Sequence, residues 1–143
     1  MPHRPKRTRV PGAAPPDLVV FACAASAGIH AGIVPEHLRE EPRLGIAFLL
    51  AVGLLLMTAV AVARHPASKP IAQLAALLLG ALTAAYLASR TTGSPLLSPA
   101  PEAIDPVGIA SVAVEVAGVA SALRLSQPSR RHRRRDAFKE VAR

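Results

Sequence analysis

Four stretches of this chain carry no charge, or a single one, over the length of a membrane-crossing helix. Leu18 to Pro35 lies uncharged between Asp17 and Glu36, Leu44 to Ala63 between Arg43 and Arg64, and Pro70 to Ser89 between Lys69 and Arg90. The fourth, Pro106 to Leu123, is broken only by Glu115. Their lengths are 18, 20, 20 and 18 residues, and a helix needs about 17–25 residues to cross a hydrocarbon layer about 30 Å thick. Backbone polar groups find no water inside lipid, so helices that satisfy their own hydrogen bonds are the natural reading. The pattern predicts an all-α fold, an integral membrane bundle of four transmembrane helices. The spans fall at about 18–35, 44–63, 70–89 and 106–125, running up-down-up-down through short loops. Residues 18–125 form the transmembrane domain, flanked by a basic arm, 1–17, and a basic tail, 126–143.

Composition agrees with the segmentation. The 143 residues are 51% hydrophobic but only 3% aromatic, with three Phe, one Tyr and no Trp. Ala, Leu and Val supply the apolar mass, which excludes a disordered chain. One cysteine excludes a disulfide scaffold and a zinc site built from several thiolates. None of the 14 prolines falls strictly inside an apolar core; Pro70 and Pro106 read as first-turn residues of spans three and four. Pro35 either ends span one or opens a short interfacial helix, Glu36 to Glu41. Met1 to Arg9 has the charge of a signal-peptide n-region, and Ala25-Ser26-Ala27 offers a small-residue cleavage site. The apolar run before it is short and continues past Gly28, so span one is expected to be retained.

Orientation follows from the basic residues. Alternating spans put 14 of the 17 Lys and Arg on one side: four in the N-terminal arm, Arg64 and Lys69 in the second loop, and eight from Arg124 onward. The other side receives Arg39, Arg43 and Arg90, with Glu36, Glu40, Glu41, Glu102 and Asp105. The positive-inside rule places both termini in the cytoplasm, N-in and C-in. The cluster Arg130, Arg131, Arg133, Arg134 and Arg135 could neutralise nucleic-acid phosphates. It begins a few residues beyond span four, however, where anionic lipid headgroups offer the same chemistry, at about 1 kcal/mol per basic side chain. With no interleaved aromatics for base stacking, the bilayer is the expected partner and nucleic acid is not.

Glu115 sits near the middle of span four, where an ionised carboxylate costs a few kcal/mol. Its helical face is small: Gly108, Ser111, Val112, Gly118, Val119 and Ala122. Span three presents a matching stripe, Gln73, Ala76, Gly80, Thr83, Leu87 and Arg90, with Gly80 and Thr83 at the depth of Glu115 under antiparallel packing. Small residues around a polar one suit a helix–helix interface. Glu115 and Thr83 are therefore the intramembrane polar pair, serving either as a structural cross-bundle hydrogen bond or as a proton carrier or ligand group in a polar pocket.

The outer side collects a second set: His30, His37, Glu41, Arg90, Glu102 and Asp105, a candidate ligand or partner surface. If span one continued through Pro35, His30, His37 and Glu41 would share a face and offer imidazole and carboxylate to a metal ion. A proline there is expected to interrupt that face, so no cofactor is predicted and a metal at His30, His37 and Glu41 is the lesser alternative. An acidic rim paired by Arg39, Arg43 and Arg90 is the ordinary one. Gly28 and Gly32, with Ala24, form a small-residue stripe of the kind that lets helices approach closely, about 160–200° around span one from His30 at 100° per residue. Such a stripe admits a homodimer or another membrane-protein partner. Catalytic motifs are missing from the sequence: there is no G-x-S-x-G, Walker loop or H-E-x-x-H. Cys23 reads as a small buried apolar residue.

Three segments carry a resemblance: Ala27-Gly28-Ile29-His30 running into Pro35-Glu36-His37-Leu38, then Ser89-Arg90-Thr91-Thr92-Gly93-Ser94-Pro95, then Asp105-Pro106-Val107-Gly108. Together they resemble small uncharacterised four-span integral membrane proteins of high-GC, actinobacterial-type bacteria, over roughly Leu18 to Leu125 and excluding both tails. The resemblance implies a multi-pass inner-membrane protein and directs attention to His30, His37, Arg90 and Glu115; it implies no activity, substrate or cofactor. The functional expectation is a non-enzymatic accessory, assembly or sensor component. The alternative is a small transporter or metal-handling protein using Glu115 and the outer-face histidines.

Overall fold

The computed structural model describes residues 16–92 and 103–127. Within them the chain is all-helical: α1 Pro16–Glu40, α2 Pro42–Arg64, α3 Lys69–Thr91 and α4 Pro106–Ser126. Each helix is long and apolar enough to cross a membrane. At about 1.5 Å per residue even the shortest, of 21 residues, spans about 30 Å.

Local chemistry sets the ends. Proline stands in the first turn of α2, α3 and α4, where a missing N–H has no intrahelical partner to lose. Asp105 caps α4: its Oδ1 accepts from the Gly108 N–H at 2.7 Å. Glu41 alone separates α1 from α2, its N–H donating to the His37 carbonyl at 2.8 Å while its own carbonyl accepts from Leu44 and Gly45. The α2–α3 connection is a turn over 65–68, closed by the Ser68 N–H on the His65 carbonyl at 3.0 Å.

One sequence expectation is corrected here. Pro35 neither ends the first helix nor starts a separate one; α1 runs through it to Glu40. The proline is exposed and removes only the hydrogen bond that its own N–H would have made to the Ala31 carbonyl. The turn is reinforced by the His37 ring, whose Nδ1 lies 2.9 Å from the Ile33 carbonyl. The face that proline was expected to interrupt is therefore continuous.

α1 packs along α2 and α4, and α3 along α4, whereas α2 and α3 meet only lightly. The apolar core sits at one end of the bundle. It comprises Val19, Ala22, Cys23 and Ala27 of α1, Leu55, Ala59 and Val62 of α2, Ala75, Ala76 and Leu79 of α3, and Ala122 of α4. Alanine dominates because the helices approach closely. At Gly118 an added Cβ would lie 2.6 Å from Leu79 Cδ1 and 2.7 Å from the Ala22 Cβ, so α1, α3 and α4 converge there only around a glycine. Outside the core the large apolar side chains face away from the protein, Met57 and Leu77 each 70% exposed. Apolar surface of that kind on every helix is a liability in water and a requirement in lipid.

Gly28 and Gly32 face outward, with nothing within 4 Å of an added Cβ at either. Their stripe thus lies away from the bundle, and the opposite face of α1, carrying His30, turns in.

Candidate functional site

The other end of the bundle holds a cavity of about 450 Å³. Its walls come from the C-terminal halves of α1 and α3 and the N-terminal halves of α2 and α4. The volume falls in the usual range for small-molecule sites, about 300–1,000 Å³.

Glu115 forms part of the cavity wall, about 15 Å along α4 from its Asp105 cap. It is 1% exposed, and three hydroxyls serve it. Ser26 of α1 donates to Oε1 at 2.9 Å and Ser111, one turn earlier on α4, donates to the same oxygen at 2.9 Å. Thr83 of α3 donates to Oε2 at 3.1 Å. The carboxyl therefore joins three helices through hydroxyls of the protein itself, as a mid-bundle polar group requires. Thr83 lies where antiparallel packing of the two small-residue stripes predicted. Gly80 is one turn away, where an added Cβ would lie 3.9 Å from Val119 Cγ2.

His30 is buried beside this cluster. Its Nδ1 lies 2.8 Å from the Ser26 carbonyl and 3.5 Å from the Ser26 hydroxyl. A carbonyl oxygen only accepts, so Nδ1 carries the proton; in the neutral ring Nε2 is then an acceptor. His37 repeats the arrangement two turns further along α1, against the Ile33 carbonyl. Phe48 of α2 sits edge-to-face between the two imidazoles, its centroid 5.4 Å from His30 and 4.9 Å from His37. The phenyl ring holds both histidines to the cavity wall and keeps them apart.

At the helix ends Arg90 of α3 makes an ion pair with Asp105, Nη2 to Oδ2 2.7 Å. The guanidinium also lies over the Tyr86 ring, 4.7 Å from its centroid. Asp105 thus does two jobs, capping α4 and fixing Arg90. Tyr86 packs its ring edge and hydroxyl against Gly108, where any Cβ would collide with it, and that buried hydroxyl has no hydrogen-bond partner among the described residues.

The structure brings together Glu115, His30, His37, Arg90 and Asp105 around one cavity, with Thr83 behind its wall as a hydrogen-bond partner of Glu115. Glu41 stays apart at the α1–α2 junction, outside the cavity lining. Among the described residues no three of His, Cys, Asp and Glu are grouped to hold a metal ion, and the set His30, His37 and Glu41 is not such a group. Glu102 and the arginines 130, 131, 133, 134 and 135 lie outside the described residues, as does the N-terminal arm up to residue 15.

Sequence reading missed Ser26 as a partner of Glu115, and missed Phe48, Tyr86 and Glu36 as cavity residues. The signal for Ser26 was present: Ser26, His30 and His37 follow each other at four and seven residues on one helical face. Ser26, His30 and Glu115 also meet, a serine, an imidazole and a carboxyl at one point. Their polarity is nevertheless wrong for a catalytic triad. The base position toward Ser26 is a protonated Nδ1 already donating to a carbonyl, and the serine hydroxyl gives its own proton to Glu115.

No protein-family model, curated protein or solved structure matches the chain.

Proposed function

We propose that this chain is a multi-pass integral protein of the bacterial plasma membrane whose four helices cross alternately, with both termini cytoplasmic, and that it acts as a non-enzymatic sensor or accessory component by binding a small molecule in the cavity. The carrying observation is the cavity itself: about 450 Å³ at the end of the bundle opposite its apolar core, with a buried, hydroxyl-bonded carboxyl in its wall. Large pockets with a few convergent polar groups are the default binding sites of proteins. An ionisable residue at membrane depth is by default a functional one. The concentration of 14 Lys and Arg on one side of an alternating topology supports the orientation, which places the cavity in the outer half. Axial segregation supports binding at one face: small apolar side chains fill the opposite end.

Topology is tested with a Ser94→Cys substitution in a Cys23→Ala background. A membrane-impermeant maleimide should label it from outside intact cells, and labelling from the cytoplasmic side alone would reverse the orientation. Binding is tested by filling the cavity with Ala85→Leu and measuring uptake of small amphiphiles.

A transporter is the second reading, favoured by the contact that links Glu115 through Ser26 toward His30. It requires proton or solute flux in vesicles that depends on Glu115; unimpaired flux in Glu115→Gln removes it. As an accessory component the chain should co-purify with a particular membrane complex, and isolation alone in monodisperse form counts against that role.

A further inference from the structure

We infer that the cavity takes an amphiphilic organic cation, a protonated amine on an apolar body. The inference rests on the cavity being a binding site and concerns what it selects. Three carboxylates line it, those of Glu36, Asp105 and Glu115, against one cationic side chain, Arg90. Arg90 is already held by Asp105 at 2.7 Å and by the Tyr86 face. With the histidines neutral and all three carboxyl groups ionised, the lining carries a formal charge of −2, which repels an anion and attracts a cation.

Hydrogen-bond polarity points the same way. A carboxylate has about four lone-pair sites, and three hydroxyls occupy Glu115, two on Oε1 and one on Oε2. One acceptor site on Oε2 remains for a donor in the cavity. His30 and His37 both commit their Nδ1 protons to backbone carbonyls, so Nε2 of each neutral ring is a further acceptor. These three acceptors, set in a lining that also holds the Tyr86 hydroxyl, fit a ligand head that brings donors, and an ammonium supplies three with no acceptor. Apolar side chains such as Ile29, Ile33, Leu44 and Leu82 provide the rest of the wall, which fits an apolar body. A bare metal ion does not satisfy this geometry. Phe48 separates the imidazoles, and the described residues contain no grouped ligand set.

The test uses the full chain in nanodiscs of zwitterionic phosphatidylcholine, with empty discs as the blank. Equilibrium dialysis compares radiolabelled phenethylammonium with phenethyl alcohol and 3-phenylpropionate, which share the apolar body and differ in the polar head. Phenethylammonium should bind saturably, one per chain, at least tenfold more tightly than either analogue. Glu115→Gln should weaken it by tenfold or more while preserving most hydroxyl contacts, and Glu36→Gln, at the exposed rim, by about threefold. Ala85→Leu should reduce uptake without touching a charge. Equal or tighter binding of the alcohol or acid overturns the cation inference while leaving a binding cavity in place, as does ammonium affinity within twofold of wild type in both carboxyl variants. If none of the three probes saturates above the empty-disc blank, and Ala85→Leu changes nothing, the binding reading itself fails.

Discussion

Removing the Ser26 hydroxyl isolates the contact that ties α1 to the buried carboxyl. Ser26 is fully buried and donates to Glu115 Oε1 at 2.9 Å, whereas Thr83 reaches Oε2 at 3.1 Å from a half-buried position. Interhelical hydrogen bonds in membrane proteins contribute about 0.6 kcal/mol on average and about 1.7 at most. A short, fully buried bond belongs in the upper half of that range, so Ser26→Ala should cost about 1 kcal/mol, roughly a fivefold change in the folded-to-unfolded ratio. The loss stays below that of an orphaned acceptor because Ser111 still donates to the same oxygen at 2.9 Å. Thr83→Ala should cost less, about 0.5 kcal/mol. Both values come from reversible unfolding in mixed detergent micelles or from steric trapping. The decisive comparison is the double-mutant cycle with Glu115→Met. Without its acceptor the Ser26 hydroxyl can turn back to the Ala22 carbonyl one helical turn earlier, so Ser26→Ala should then cost almost nothing. A coupling energy below about 0.3 kcal/mol would refute the claim that this hydroxyl is bound to this carboxyl.

Other consequences can be checked singly. Gly118→Val should destabilise the bundle by about 1–3 kcal/mol through overpacking, because a Cβ there meets Leu79 and Ala22 at 2.6 and 2.7 Å; wild-type stability in that variant would mean the three helices do not converge at Gly118. Asp105→Ala removes both the α4 cap and the Arg90 partner, so it should cost about 1–2 kcal/mol, and Asp105→Asn should recover part of the cap. Cys23 is buried in the apolar core, so a water-soluble maleimide should label it only after denaturation; rapid labelling of the folded protein contradicts the core as described.

Much of the architecture was legible because charge and proline punctuate the chain so strongly. Arg43, Arg64, Lys69 and Arg90 bracket the second and third helices, and each helix ends within two residues of the predicted span. The first helix was the exception. Proline is a strong boundary signal, yet Pro35 sits on an exposed face where losing a single backbone bond is tolerated, and the helix runs five residues further. That extension decides the site, since it sets His37 on the same face as His30 and lets Phe48 pack between them. Thr83 was legible as a neighbour of Glu115 from the spacing of small residues on two helices. Phe48 and Tyr86 were not, because their roles are set by what they meet on other helices, His30 and His37 for Phe48 and Gly108 for Tyr86, which no local pattern encodes. Ser26 lay between: its four-residue spacing from His30 was visible, but its bond to Glu115 crosses 89 positions of sequence.

The axial division of the bundle, an open polar end with Glu115 in its wall and a dry apolar end, is tested most directly by cysteine accessibility in nanodiscs. Single substitutions Ala85→Cys and Ser89→Cys in the cavity wall, and Ala75→Cys and Ala122→Cys in the core, are made in a Cys23→Ala background and treated with a small charged thiosulfonate. The account predicts rapid modification at Ala85→Cys and Ser89→Cys, slowed by phenethylammonium, with no measurable modification at Ala75→Cys or Ala122→Cys. Equal reactivity at all four positions, or reaction at the core pair alone, would contradict it.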